Sequence, residues 1–197
     1  MTSSRTPARA RSVVPLLLVL ALVGLTGCSG SSSRPQDSGG GFVTGNNLTQ
    51  VAPADRVPAP ELTGPRLGSD QPLSSTAYAG QVLVVNVWGS WCAPCRAEAK
   101  GLQAASEQTK GVAQFLGINS RDADPAPAEA FVRVQKVTYP SLYDPNGTQL
   151  VKFAELPPNA IPSTVIIDKQ GRIAARVVGT ISPTSLVDLI DDVAAGK

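Results

Sequence analysis

The sequence predicts an α/β domain with a central mixed β-sheet flanked by helices on both faces, set behind an export leader and a tether. Three observations predict it. Short apolar runs rich in β-branched residues alternate with longer segments of helical spacing. Their order is strand–helix–strand–helix–strand, followed by a hairpin and a last helix. The composition also changes near residue 57, from a Ser, Gly, Asn and Pro-rich stretch to one that carries the apolar runs.

The first strand is expected over residues 81–88, Gln-Val-Leu-Val-Val-Asn-Val-Trp, the nearly continuous apolar pattern of a strand buried on both faces. Gly89-Ser90 ends it. A helix follows over 92–108, with Pro94 in the first turn, where a missing N–H costs little. Residues 114–119 read as a second strand, 125–135 as a helix with Pro125 and Pro127 near its start, and 139–144 as a short third strand closed by Asp144-Pro145-Asn146-Gly147. A short helix is expected over 149–153. Residues 163–167 and 172–178 form a hairpin about Asp168-Lys169-Gln170-Gly171. Ser182 is the expected N-cap of the last helix, along which Leu186, Leu189, Ile190 and Val193 make one apolar stripe.

Several function classes are excluded at this level. The chain has no histidine, which removes His-based metal sites, Ser–His–Asp triads and His general bases. No metal site is expected, since one CxxC pair offers two of the four ligands that structural zinc takes. No basic patch points to nucleic acid. The formal net charge of +2 comes from the leader: without residues 1–27 the chain has 14 basic and 15 acidic residues.

The leader reads as an address rather than as part of the fold. Arg5, Arg9 and Arg11 precede an apolar run over residues 13–25, which is short for a bilayer span. The run ends in Leu25-Thr26-Gly27-Cys28, a sequence that resembles the lipobox of bacterial lipoproteins. The resemblance implies cleavage before Cys28, acylation of its thiol, and anchoring at the outer face of the cytoplasmic membrane. The alternative is an ordinary secretory signal with Cys28 incidental. Residues 28–56 then read as a lipid-anchored flexible tether, and the folded domain is expected over 57–197.

The chemistry is expected at Trp91-Cys92-Ala93-Pro94-Cys95, where a buried strand turns into a helix. The thiolate is the nucleophile of disulfide exchange, and free N–H groups and the positive dipole end at a helix N-terminus stabilise it. In such motifs a thiol pKa falls from ~8.5 into the range ~3.5–7.5. Cys95, one turn on, is placed to resolve a mixed disulfide made at Cys92. A purely structural disulfide is a weak alternative, because so small a loop constrains little of the unfolded chain.

The stretch from Val84 through Trp88-Gly89-Ser90-Trp91-Cys92-Ala93-Pro94-Cys95 to Glu98 resembles the active-site segment of TlpA/ResA-like thiol–disulfide oxidoreductases, a branch of the thioredoxin superfamily grouped with redoxin/AhpC-TSA-like proteins. Ala160-Ile161-Pro162-Ser163-Thr164 resembles that branch's cis-proline loop. Together these imply a thioredoxin-like fold over about residues 57–195, with the branch's inserted helix and strand at about 125–144. They also imply a cis peptide before Pro162, where sequence alone favours trans, and a substrate groove lined by Trp91, Ala93, Pro94, Ile161 and Pro162.

Glu98 is either the glutamate that tunes the thiols in ResA-like members or a solvated helix residue. Asn86 stands where classical thioredoxins carry a buried aspartate, and an amide cannot accept that proton. Ala160 departs from the glycine that many members have. Trp88 is expected to be a packing group.

The resemblance implies an enzyme that reduces disulfides of exported proteins, with apocytochrome c thiols as one substrate class and a role in cytochrome c biogenesis and cell redox homeostasis. It implies a membrane thiol electron donor, and no cofactor beyond the redox-active Cys92–Cys95 disulfide. Two alternatives stand beside it: a peroxiredoxin-like thiol peroxidase, disfavoured because Gly89 occupies the place of that family's Thr or Ser, and a non-enzymatic thioredoxin-fold binding lipoprotein.

Overall fold

A computed structural model describes residues 42–44, 47–69 and 71–197. The leader, Cys28 and most of the expected tether lie outside the described residues. Strands β1 (Phe42–Thr44), β2 (Leu48–Val51), β3 (Thr63–Pro65) and β4 (Pro72–Ser74) come first. They are followed by β5 (Val82–Trp88), α1 (Ala93–Gln108), β6 (Ala113–Ser120), α2 (Pro125–Gln135) and β7 (Ser141–Asp144). The chain ends with β8 (Ser163–Ile167), β9 (Ile173–Val178) and α3 (Pro183–Ala194). Seven strands form one sheet in the order β1-β2-β9-β8-β5-β6-β7, and β3 and β4 make a separate hairpin.

In the large sheet β5, β6 and β7 run parallel, and every other neighbouring pair is antiparallel. β5 is central because all seven of its residues are buried. Alternation sends Val82 and Val84 into one apolar cluster, with Leu102 of α1 and Leu186 and Ile190 of α3. It sends Leu83, Val85 and Val87 into another, with Leu116, Leu142, Phe153 and Ile173. The stripe expected on α3 is buried as a unit. Each such side chain contributes roughly 1.5–3 kcal/mol, and a helix of 12 residues is too short to stand alone in water.

Helical elements cover both faces, but unequally. α1, α2 and α3 share the Val84 face, since Leu102, Leu186 and Ile190 pack there and Phe131 of α2 stacks on Trp88 with ring centroids 4.5 Å apart. The opposite face is closed by two 3₁₀ turns, Ser75–Tyr78 and Leu150–Lys152, and by Leu62, Phe153 and Leu156.

Two elements depart from the sequence expectation. The domain begins before residue 57: β2 pairs with β9 through Leu48–Val177, Thr49–Arg176 and Gln50–Ala175, and β1 pairs with β2. Residues 48–51 are therefore a strand of the sheet, and 52–56 the turn that follows it, rather than tether. Their order comes from a partner strand more than a hundred residues away, which local composition does not show. The β3–β4 hairpin, with Pro65 paired to Pro72, is a second element that the sequence expectation does not contain.

Arg56 fastens the first of these departures. Its side chain and that of Asp168 are each 2% exposed, with Nη1 3.2 Å from Oδ2. Arg56 also donates from Nε to the Val51 carbonyl and from Nη2 to the Lys197 carbonyl. Asp168 accepts further bonds from Arg172 N, Gln170 N and the Arg172 guanidinium. Burial works to raise the Asp168 carboxyl. The hydrogen bonds from Arg172 and Arg56 outweigh it and hold the pKa below the ordinary value.

A depressed carboxylate contributes stability that is present above its unfolded pKa and is lost as pH falls through the folded one. Without Arg56, Asp168 keeps the Arg172 guanidinium at 2.9 Å, so the charge is not stranded and the loss falls short of the roughly 3–5 kcal/mol of a broken lone pair. Arg56→Ala is therefore expected to lose roughly 1.5–3 kcal/mol, the range for hydrogen bonds to charged groups, in urea unfolding at pH 7. A chain starting at Val57 is expected to lose at least as much, and one starting at Asn47 to lose far less.

Candidate active site

The site forms where β5 ends. Trp88 is the last strand residue, and within four residues the chain has turned into α1, whose N-cap is Cys92. The turn is closed by Cys92 N donating to the Gly89 carbonyl at 3.2 Å. Cys92 and Cys95 are joined by a disulfide with Cα atoms 5.3 Å apart, and Cys95 N donates to Cys92 Sγ at 3.2 Å. A backbone donor of the first helical turn thus points at the sulfur that would carry the charge once the disulfide opens. Pro94 lies in that turn without removing a needed N–H.

Of the site residues expected from sequence, Trp91 is 51% exposed, and Ala93 and Pro94 lie open beside it. Cys92 keeps 4% of its surface and Cys95 2%. The Ile161–Pro162 peptide is cis. Because Ser163 pairs with Val87, Pro162 lies level with the end of β5. Ile161 packs against the cluster of Trp88, Cys92, Cys95, Ala99, Ala128 and Phe131, so the loop and the cysteine pair adjoin. Gly179 N donates to the Pro162 carbonyl at 2.8 Å. Trp88 is a packing residue whose Nε1 donates to Ser141 Oγ at 3.2 Å. Gly117 makes room for that bond, since a Cβ there would lie 2.0 Å from Ser141 Oγ.

Glu98 is not a solvated helix residue. It is 8% exposed, three positions after Cys95 on the inner side of α1. Burial pushes its pKa up to about 7. Long hydrogen bonds from Ile181 N at 3.4 Å and Asn86 Nδ2 at 3.5 Å work against the rise. Asn86, 2% exposed, also faces the Ser163 carbonyl and Thr164 Oγ1. Behind Cys95 a cavity of about 10 Å³ is lined by Asn86, Trp88, Phe131 and Tyr139, about the room one water needs. Burial, with the charge of Glu98 adding to it, pushes the Tyr139 hydroxyl up.

Sequence reasoning missed the polar group at the end of β6. Asp122, 5% exposed, accepts from Ser90 N at 2.8 Å, from Ser90 Oγ, and from Asn119 Nδ2 at 2.6 Å. A usable signal was present: Asn119-Ser120-Arg121-Asp122 is the polar end of an apolar parallel strand, at the carboxyl edge where open α/β sheets gather their sites.

Residues 55–176 match the AhpC/TSA family. The chain belongs to that family. Within it the chain is a thiol–disulfide oxidoreductase of the TlpA/ResA-like kind, and its fold is thioredoxin-like. It is 34% identical over 142 residues to the thiol:disulfide interchange protein DsbE of Allochromatium vinosum, covering 70% of this chain and 74% of the relative. A DsbF homologue from Corynebacterium diphtheriae superposes with a TM-score of 0.71 at 34% identity, over 75% of this chain and 94% of the other. A secreted thiol-disulfide isomerase from Corynebacterium glutamicum does so with a TM-score of 0.73 at 30% identity, over 79% and 99%.

A carboxyl raised on folding contributes stability that is fully present below its unfolded pKa and is lost as pH rises through the folded value. For Glu98 the window runs from 4.5 to about 7, on the order of 3 kcal/mol at 1.36 kcal/mol per unit. Glu98→Gln is expected to gain stability relative to the parent across this window, by up to that amount at pH 8. Urea unfolding of both oxidised proteins at pH 4.5 and pH 8 measures it. A difference independent of pH contradicts it.

Proposed function

We propose that this oxidoreductase works outside the cytoplasm as a reductase, passing two electrons to disulfides of exported proteins. The observation that carries the proposal is the Cys92–Cys95 pair at the start of α1, with Cys95 N–H directed at Cys92 Sγ. The Cys92 thiolate attacks one sulfur of the partner's disulfide, a mixed disulfide forms, and the partner's other sulfur leaves as a thiolate. Cys95 then loses its proton and attacks Cys92 Sγ. The second partner sulfur leaves, and the enzyme is left as the Cys92–Cys95 disulfide.

Glu98 is the acceptor for the Cys95 proton: it is buried close to Cys95, its pKa of about 7 suits the task, and Asn86 offers no alternative. Exposed Trp91, Ala93 and Pro94 form one wall of the partner groove, and Ile161 and Pro162 the other. No cofactor beyond the disulfide takes part. Regeneration needs a dithiol donor in the membrane, and Cys28, acylated after cleavage of the leader, holds the enzyme beside it. The secreted relative supports work outside the cytoplasm. Apocytochrome c thiols are one substrate class.

The geometry at residue 89 favours exchange over peroxide chemistry. A Cβ on Gly89 would lie 2.6 Å from Trp91 Nε1, so a Thr or Ser there would have to displace the Trp91 ring from its present place.

Two assays test the proposal. Reduced Cys95→Ser is expected to accumulate a stable mixed disulfide at Cys92 with a protein disulfide such as insulin's, whereas Cys92→Ser accumulates none. Reduced parent protein is expected to reduce insulin and to consume hydrogen peroxide no faster than free thiol. Rapid peroxide turnover, or exchange surviving in Cys92→Ser, would show the proposal wrong.

A further inference from the structure

Cys92 follows a turn that is held both from its own helix and from outside it. The Ser90 backbone N–H and hydroxyl both donate to Asp122, and the Ser90 carbonyl accepts from Arg96 Nη1 at 2.8 Å. Asp122 is itself tied down. Asn119 Nδ2 donates to its carboxylate at 2.6 Å, and Tyr143 Oη donates to its backbone carbonyl at 3.0 Å. The clamp is thus built from β6, β7 and the loop between β6 and α2, thirty residues from Cys92 in sequence.

We infer that Asp122 is a positioning residue for Cys92: its carboxylate pins Ser90 so that the Cys92 sulfur stays at the N-terminus of α1 once the disulfide is open. The disulfide holds Cys92 to α1 by a covalent bond only in the oxidised enzyme. In the reduced enzyme that restraint is gone, and the sulfur is kept over the helix's free N–H groups by the turn at Ser90, two residues away, together with the helix's own bond from Arg96 N to the Cys92 carbonyl at 3.2 Å. A carboxylate is suited to this because it only accepts, and the Ser90 backbone N–H, the Ser90 hydroxyl and the Asn119 amide can all donate to it at once. Loss of the clamp lets the thiolate drift off the helix terminus and lose its stabilisation there. The charged groups at the turn are Arg96, Asp122 and Asp124, with Glu98 deeper along α1, so charge and position must be separated by experiment.

The inference rests on Cys92 being the attacking thiol. The test is the rate of iodoacetamide alkylation of the reduced full chain as a function of pH, with the labelled cysteine identified by mass spectrometry. Asp122→Ala is expected to raise the midpoint of the Cys92 profile by about one unit, slowing alkylation about tenfold at pH values below both midpoints. Asp122→Asn keeps an oxygen for Ser90 N–H and offers an amide to the Ser90 hydroxyl, and is expected to stay within about threefold of the parent. Ser90→Ala, which keeps the backbone bond in a less perturbed chain, is expected to fall between them. Melting temperatures of the same proteins supply the structural control. A lowered melting temperature with an unchanged midpoint in Asp122→Ala and Ser90→Ala would overturn the inference, as would a downward shift shared by Asp122→Ala and Asp122→Asn, which would assign the effect to charge. Labelling of Cys95 ahead of Cys92 would instead overturn the exchange reading itself.

Discussion

The junction between β5 and α1 is the constraint on which the rest of this structure depends. β5 is buried on both faces, and its last residue, Trp88, is locked by stacking on Phe131 and by its bond to Ser141. The strand therefore delivers the chain to one place, and four residues later the first helical turn begins. A helix N-terminus has donors without partners. Here one of them meets the sulfur of Cys92. α1, α2 and the cis-proline loop pack around this junction, and the end of β6 holds its turn through Asp122.

Two buried carboxylates, Asp168 and Glu98, answer burial in opposite ways. Asp168 is surrounded by arginines and N–H donors, stays ionised below its ordinary pKa, and ties the first strands to the β8–β9 turn. Among the described residues Glu98 has two long hydrogen bonds and no cation beside it, so burial dominates and its pKa rises to about 7. The first arrangement holds structure together. The second keeps a group near the point of proton exchange at neutral pH, at a cost in stability of the kind functional sites carry. Both are ordinary consequences of desolvation set against local partners.

Much of the fold was legible in the sequence because its central elements announce themselves locally. The apolar run at 82–88, the prolines opening α1 and α2, and the stripe on α3 each reflect burial of that segment's own residues. The cysteine pair was legible for the same reason: a strand, a break, CxxC and a helix lie in one continuous stretch. What was not legible is held by distant partners. β2 is ordered by β9, Arg56 by Asp168, and the Ser90 turn by Asp122, and none of these pairings leaves a periodicity to read. Glu98 shows the limit well. Its place three residues after Cys95 was evident, yet only the packing of Asn86, Ile181 and Tyr139 decides that it is buried.

The central claim is that the Cys92–Cys95 pair works as a reductant. Its reduction potential tests this most directly, measured by equilibration with glutathione or a thioredoxin couple on protein beginning at Asn47, so that β2 and Arg56 are kept. The account predicts a value near that of thioredoxin, ~−270 mV, which leaves the dithiol able to reduce partner disulfides once a membrane donor has recharged it. A value near ~−120 mV, that of the strongest oxidants, would mean that the pair makes disulfides, and would contradict the direction of electron flow proposed here.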